Sequence, residues 1–194
     1  MYKVYGKVKT RTFRVIWALE EMGLPYELID AAPRSDVLNG VSAEGKVPAL
    51  VDGDAALTDS VAIMSYLADK HGKLTFPAGT IERARQDALI HLINERFDAP
   101  LWLKARHGFI LPEDRRISAI SDAVAADIAD AVEALAKLIE GPFLQGETMT
   151  VADILAVHCL NWAHGAKIEI TNDTVKAYAK AMRARDAFMR TAAL

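Results

Sequence analysis

Cysteine is nearly absent: Cys159 is the only one in 194 residues. A single thiol excludes an intramolecular disulfide and any CxxC redox pair. Long apolar runs are also missing. No stretch approaches the ~20 uncharged apolar residues that a membrane-spanning helix needs. Met1 leads straight into Tyr2-Lys3-Val4-Tyr5, without the apolar core of a secretory leader. The expectation is a cytoplasmic protein with no membrane partner. Charge of one sign is scarce as well. The 23 Lys and Arg face 26 Asp and Glu, a formal net charge of −3, so no general attraction to nucleic acid is expected. A local basic cluster at Lys7, Lys9, Arg11 and Arg14 is a candidate site for a small anion. The five histidines, His71, His91, His107, His158 and His164, lack metal-ligand spacing. His158 and His164 are six apart, off a shared helical face, so no metal is expected.

The chain does have apolar material for a sizeable core, 52% of residues against 25% charged. Its pattern changes midway. Lys3-Val4-Tyr5 reads as a strand, and Phe13 to Met22 as a helix with Val15, Ile16 and Leu19 on one side. Gly23 and Pro25 end that helix. Tyr26 to Ile29 reads as a second strand, and residues 31–46 as a loop with at most a short helix. Two further strands, Val47 to Val51 and Ala55 to Leu57, flank the turn signal Asp52-Gly53-Asp54. Asp59-Ser60 opens a helix that runs to about His71. Residues 1–75 thus give β-α-β-(α)-β-β-α, residues 76–81 a linker, and residues 82–194 an all-helical domain. In that last part Leu89, Leu92, Ile93 and Phe97 mark one helix. Ile117, Ile120, Val124, Ile128, Val132, Leu135 and Leu138 mark a long amphipathic one. Helices near 151–164 and 172–184 follow, and a short one closes the chain.

Four segments, in order, resemble the cytosolic glutathione transferase family, and the match spans nearly the whole chain. Thr10-Arg11-Thr12-Phe13-Arg14-Val15 is similar to the family's Ser-x-Ser-x-Arg-Val segment. Gly45-Lys46-Val47-Pro48-Ala49-Leu50 resembles its Gly-Lys-Val-Pro-Ala-Leu segment, whose proline is cis. Thr58-Asp59-Ser60 resembles its Glu-Ser or Asp-Ser element, and Thr150-Val151-Ala152-Asp153 the cap of its buried core helix. The resemblance implies an α/β plus all-α protein: a thioredoxin-like βαβαββα domain that binds glutathione, then an α-helical bundle.

Physical chemistry gives each piece a role. Beside a cis-proline, the N–H and C=O of Val47 suit a peptide-like ligand as a short β-augmentation, and Pro48 would fix that geometry; alternatively Pro48 is a loop residue before a strand. At Asp59-Ser60, a helix N-terminus favours the carboxylate of the γ-glutamyl end, and either side chain can also be a simple N-cap. Lys46 would set a cation near the glycyl carboxylate, or be a solvated loop lysine. Thr150 and Asp153 make a capping-box pair with a folding role.

The resemblance places the thiol-activating hydroxyl four residues before Arg14, at Thr10. A free thiol has a pKa of ~8.5, so keeping it largely ionised at neutral pH needs a drop of about two units, roughly 2.7 kcal/mol. One hydrogen bond to a charged group contributes roughly 1.5–3 kcal/mol, and a helix N-terminus ~0.3–1 kcal/mol. Thr10 is β-branched where the serine-type family members carry serine, so its methyl group must fit beside the sulfur. The alternative for Thr10 is a turn or cap residue. Thr12 and Tyr5 are the next hydroxyls in reach, and Cys159 reads as core. Among Trp102, Lys104, Arg106, His107 and Phe109 are the candidates for lining a second-substrate cleft between the domains.

The function expected is a transferase that activates glutathione, its co-substrate, as a thiolate for attack on an electrophilic, largely apolar small molecule in detoxification. The resemblance also implies a homodimer through helical faces around residues 85–105 and 115–135. The rival is a non-catalytic binding or scaffold protein. Ser42-Ala43-Glu44, where the family often carries Asn-Pro, speaks for it, and fold alone does not decide.

Overall fold

The computed structural model describes all residues, 1–194. They form two compact units, residues 1–78 with 183–194, and residues 79–182. The first unit holds a four-stranded sheet in the order β2-β1-β3-β4, built from β1 (Tyr2–Tyr5), β2 (Tyr26–Ile29), β3 (Ala49–Asp52) and β4 (Ala55–Thr58). β1 runs parallel to β2 and antiparallel to β3, and β3 pairs antiparallel with β4. The parallel pair needs a crossover, which α1 (Thr12–Met22) supplies. Gly23 ends α1 in the left-handed conformation, φ 69°, where its N–H reaches Glu20 and Leu19 carbonyls. α2 (Ser60–His71) follows β4. Val4, Val15, Ile16, Leu19, Leu50, Ile63 and Leu67 are all fully buried and form this unit's core. The segment 31–46 contains only a single 3₁₀ turn, Asp36–Leu38.

The last helix, α8 (Asp186–Ala192), belongs to this first unit and packs on α1. The sequence had suggested one helical domain over 82–194. Residues 183–194 instead cluster with the sheet, because Phe188 meets the rings of Phe13 and Trp17 at 5.2 and 5.0 Å. Two arginines add to that contact. Arg185 grips Glu21 with two bonds of 2.7 Å, and Arg190 bonds Glu20 at 2.6 Å.

The second unit is entirely helical apart from isolated bridges around 143–148. α3 (Ile81–Ile93) starts at Thr80, whose side chain accepts the Arg83 N–H at 3.2 Å. A π turn, Asn94–Asp98, joins it to α4 (Ala99–Ala105), and a second, Arg106–Ile110, continues it. Pro100, which brings no N–H to the helical ladder, is the second residue of α4, just after the first π turn. α5 (Ile120–Ala136) buries Val124, Ile128, Val132 and Leu135, as its periodicity predicts. Ile117 and Leu138, expected on the same stripe, lie outside the helix ends and are 55% and 37% exposed.

α6 (Val151–Gly165) is the buried centre of the second unit, with α7 (Asp173–Arg183) after it. Its start is closed by the expected capping box. The Thr150 hydroxyl accepts the Ala152 N–H, while Asp153 accepts the Thr150 N–H at 2.8 Å. Asp153 also takes the Leu144 N–H and the Tyr178 hydroxyl, each at 2.8 Å. Burial pushes the Asp153 carboxyl up, against the pull of these donors, and it pushes the Tyr178 phenol up as well. Cys159 is buried on the same helix.

Candidate functional site

Strand register gathers the predicted residues at one end of the sheet. The parallel pairing Tyr5↔Ile29 and the antiparallel pairings Tyr5↔Ala49 and Ala49↔Thr58 set those four residues in one row. From that row the chain leaves β1 into residues 6–11, enters β3 from residues 46–48, and leaves β4 into Asp59-Ser60. Thr10, Lys46, Val47, Pro48, Asp59 and Ser60 all lie on these three segments.

The first segment is a tight turn. The Lys7 carbonyl accepts the Thr10 N–H at 2.9 Å and the Thr10 hydroxyl at 2.7 Å. Thr10 Oγ1 in turn accepts the Thr12 N–H at 3.2 Å, and the two threonine hydroxyls are 2.9 Å apart. With its one hydrogen on Lys7, Thr10 receives the hydrogen of Thr12. Thr12 is buried directly beneath Gly6, whose φ is 147°. A Cβ there would sit 2.0 Å from Thr12 Oγ1, so only glycine fits. Thr12, expected as a neighbouring hydroxyl or a helix-start residue, lies 2.9 Å from Thr10, whose own hydrogen goes to the Lys7 carbonyl.

The second segment carries a cis peptide between Val47 and Pro48. Pro48 is buried, and Val47 precedes the first ladder pair of β3, so its peptide groups lie beyond the sheet ladder. The turn before it depends on Gly45 at φ 61°, where a Cβ would press on the Arg34 backbone at 3.2 Å. The Ser42 hydroxyl holds the Lys46 N–H at 3.0 Å, which gives the Ser42-Ala43-Glu44 variation a structural use. The Lys46 ammonium is exposed and pairs with Glu44, whose carboxyl it holds below the usual range.

At the third segment Asp59 has φ 71° and ψ 124°, a costly backbone for a residue with a Cβ. Its Oδ1 accepts the N–H groups of Val61 and Ala62 at 2.9 and 3.0 Å and so caps α2. Ser60 differs. It is buried, and its hydroxyl accepts a hydrogen bond from Arg14 at 3.1 Å. Arg14, itself 1% exposed, therefore ties the first turn of α1 to the first turn of α2. That removes it from the basic cluster expected at residues 7–14. Lys7 also turns to a partner, Asp30, at 3.4 Å. No open four-residue cationic patch exists there.

The aromatic and basic residues expected to line a cleft divide between two hollows of the helical unit. Lys104, His107 and Phe109 line a cavity of about 640 Å³, together with Trp162 and with Lys167, the latter not singled out by sequence reasoning. Trp102 and Arg106 line a shallower hollow of about 330 Å³ with Leu103 and Val124. A half-turn separates Lys104 from Arg106 on one helical run, and this sends them to different faces. No cluster of three or more His, Cys, Asp or Glu side chains could hold a metal ion, and no helix is long and apolar enough to cross a membrane.

Comparison with known proteins finds glutathione transferases. Residues 12–75 match the family model described as glutathione S-transferase, N-terminal domain. A glutathione S-transferase of Silene vulgaris is 26% identical over 99% of this chain and 97% of its own length. A glutathione transferase crystal structure from Methylococcus capsulatus superposes with a TM-score of 0.85 at 26% identity, covering 98% of this chain and 97% of that one. Glutathione S-transferase-I bound to lactoylglutathione gives a TM-score of 0.82 at 26% identity, covering 99% and 98%. In its thioredoxin-like sheet and in its helical unit the chain is thus similar to glutathione transferases over nearly its whole length.

Proposed function

We propose that this protein is a glutathione transferase of the hydroxyl-dependent type, with Thr10 as the group that stabilises the thiolate. The observation that carries the reading is the convergence of the Thr10 turn, the cis Val47-Pro48 peptide and the Asp59 cap at one sheet end. Glutathione lies along that end. The peptide groups of Val47 pair with its cysteinyl backbone, the Asp59 carboxylate and the start of α2 hold the γ-glutamyl end, and Lys46 exchanges Glu44 for the glycyl carboxylate. Ser60 acts through Arg14, by fixing where α2 begins. The strained backbone of Asp59 supports a binding role there, since such conformations collect at ligand clamps. Lactoylglutathione in a relative of full-length coverage supports glutathione as the co-substrate.

Chemistry follows from one proton. The thiol loses it to solvent, Thr10 donates its hydroxyl hydrogen to the sulfur, and a sulfur lone pair forms the new S–C bond as the leaving group departs with its electron pair. Thr10 first gives up the Lys7 carbonyl, which costs ~0.5–1.5 kcal/mol and leaves that carbonyl still bonded to the Thr10 N–H. Against a gain of ~1.5–3 kcal/mol for a bond to charge and ~0.3–1 kcal/mol from the start of α1, the net is about 1–2 kcal/mol. That corresponds to a thiol pKa lowered by about one unit, enough for partial ionisation at neutral pH. The Thr12 hydroxyl keeps donating to Thr10 throughout and polarises it further.

The acceptor is a small, largely apolar electrophile, and the setting a cytoplasmic, detoxifying one. Pairing of two copies through α3–α5 fits the same reading and is supported by Trp102 and Leu103, which are 39% and 38% exposed beside the shallower hollow. A second reading, a non-catalytic glutathione-transferase-like binding or scaffold protein, is favoured by the commitment of the Thr10 hydrogen to Lys7. Calorimetric titration with glutathione tests the binding that the transferase reading requires. Saturable binding is expected, weakened at least ~10-fold in Asp59→Asn, which keeps the helix cap but removes the charge. No binding to the natural protein would rule out the transferase reading and favour the scaffold one.

A further inference from the structure

A threonine hydroxyl has one hydrogen to give and two lone pairs that accept. At Thr10 all three are committed. Its hydrogen goes to the Lys7 carbonyl at 2.7 Å, and its oxygen accepts the Thr12 N–H at 3.2 Å and the Thr12 hydroxyl at 2.9 Å. A helix cap does not need that second donor. Thr150, at the start of α6, accepts one N–H, from Ala152, and gives its own hydrogen to Asp153. The fold makes room for the extra donor at Thr10. Thr12 is fully buried, and its Oγ1 is the atom nearest to where a Cβ on Gly6 would stand, 2.0 Å away. Gly6 follows β1 at φ 147°, so the chain omits a side chain at the point where the Thr12 hydroxyl is packed.

Those two donors decide what Thr10 can offer a ligand. Only its hydrogen is exchangeable, from the Lys7 carbonyl to an incoming atom. A thiolate accepts that hydrogen. A thiol must also place its S–H, and it finds both lone pairs of the Thr10 oxygen already filled. Two donors into one oxygen also polarise its O–H and strengthen the bond it makes to an anion. Both effects favour the ionised sulfur over the protonated one. We propose that Thr12, accommodated by Gly6, is a positioning residue that makes Thr10 a donor only, so that the site distinguishes thiolate from thiol. This rests on the reading of Thr10 as the thiol-activating group and assigns to Thr12 the selectivity that Thr10 carries out. Thr12 acts through the Thr10 oxygen and not on the sulfur itself.

The test compares glutathione with S-methylglutathione by calorimetry at about pH 6 and about pH 9.5, on either side of the free thiol pKa of ~8.5. S-methylglutathione lacks the ionising hydrogen. Dividing by its affinity therefore removes the titration of the other charged groups of these segments, Lys7 with Asp30, Lys46 with Glu44, and Asp59. In the natural protein the affinity ratio should rise about tenfold between the two pH values, as a one-unit shift of the bound thiol requires. In Thr12→Val, which fills the same space with no hydrogen to donate, the rise should fall below about threefold, with glutathione affinity at the lower pH held or increased. The smaller Thr12→Ala should behave alike, which keeps the test open if the valine does not fold. Thr12→Ser, which keeps the hydroxyl, should retain most of the rise. A rise that persists in Thr12→Val and Thr12→Ala overturns the inference. So does an equal loss of affinity at both pH values with the ratio intact, the mark of a merely structural role. Thr10→Ala separates this inference from the reading beneath it. A rise lost in Thr10→Ala but kept in both hydroxyl-free Thr12 variants leaves Thr10 as the activator and overturns the role of Thr12 alone. A rise kept in Thr10→Ala, or absent from the natural protein, overturns both.

Discussion

Threonines 10 and 150 precede α1 and α6, and the two starts are built for different ends. At α6, Thr150 is wholly buried, its hydroxyl accepts the Ala152 N–H, and the residue three positions on is Asp153. That carboxylate accepts two backbone N–H groups and two hydroxyls, so every group at the start is committed inside the fold. At α1, Thr10 makes the same bond to an N–H two residues on, at 3.2 Å, but the third position holds Phe13 and no side chain closes the helix. Thr10 is half-buried, and its hydrogen rests on a carbonyl that already has another donor. The first start is a finished cap. The second retains a hydroxyl whose bond can be exchanged at small cost, which a thiol-activating group requires and a structural cap does not.

The comparison can be broken from the α6 side first. Asp153→Ala would strip the acceptor from the buried Leu144 and Thr150 N–H groups and the Tyr178 hydroxyl. With each orphaned group costing ~1–3 kcal/mol, a loss of about 3–5 kcal/mol is expected in chemical denaturation. A loss under about 1 kcal/mol would mean the box is dispensable. Thr150→Ala removes one cap bond and should cost ~0.5–2 kcal/mol in the same assay, with Thr150→Ser restoring most of it. The corresponding Thr10→Ala change should alter stability less than either.

A smaller effect concerns α8, which closes the other side of α1. Burial raises the Glu20 carboxyl, but the bonds from Arg190 and Tyr26 outweigh it and hold the folded value below 4.5. A carboxyl depressed by folding stabilises above its unfolded value and loses that contribution as pH falls through the folded one. The pair is partly exposed, with Arg190 at 56%, so the contribution is under about 1 kcal/mol. Amide protection factors in α8, corrected for intrinsic rates, should therefore fall as the pH drops below about 4.5 while those of α6 hold, and Glu20→Gln should abolish that difference.

Much of this was legible in the sequence for identifiable reasons. The strands, α1, α2 and α6 carry punctuation that acts locally: Gly23 and Pro25, Asp52-Gly53-Asp54, Asp59, and the Thr150–Asp153 box. What the sequence could not display was partnership across distance. Arg14 reads as one of four surface cations, yet it is buried on Ser60, 46 positions away. Arg185 and Phe188 look like part of the helical half until α1 supplies Glu21, Phe13 and Trp17. Ile117 and Leu138 fit the periodic stripe of α5 and fall beyond its ends, because apolar spacing does not mark where a helix stops. The six residues proposed for glutathione were named from a resemblance. Their common edge is a consequence of strand register, which no single segment reveals.

The central claim is that the Thr10 hydroxyl leaves Lys7 for a thiolate. The direct measurement is the ultraviolet absorbance of glutathione thiolate bound to the protein, followed from pH 5 to pH 9 as a titration in natural protein, Thr10→Ala and Thr10→Ser. S-methylglutathione binding measured alongside reports the site without the thiol. The account predicts a bound thiol pKa about one unit below the free value of ~8.5, a return toward that value in Thr10→Ala, a pKa as low or lower in Thr10→Ser, and S-methylglutathione affinity little changed throughout. An unshifted thiol in the natural protein, or a shift that persists in Thr10→Ala, would contradict it.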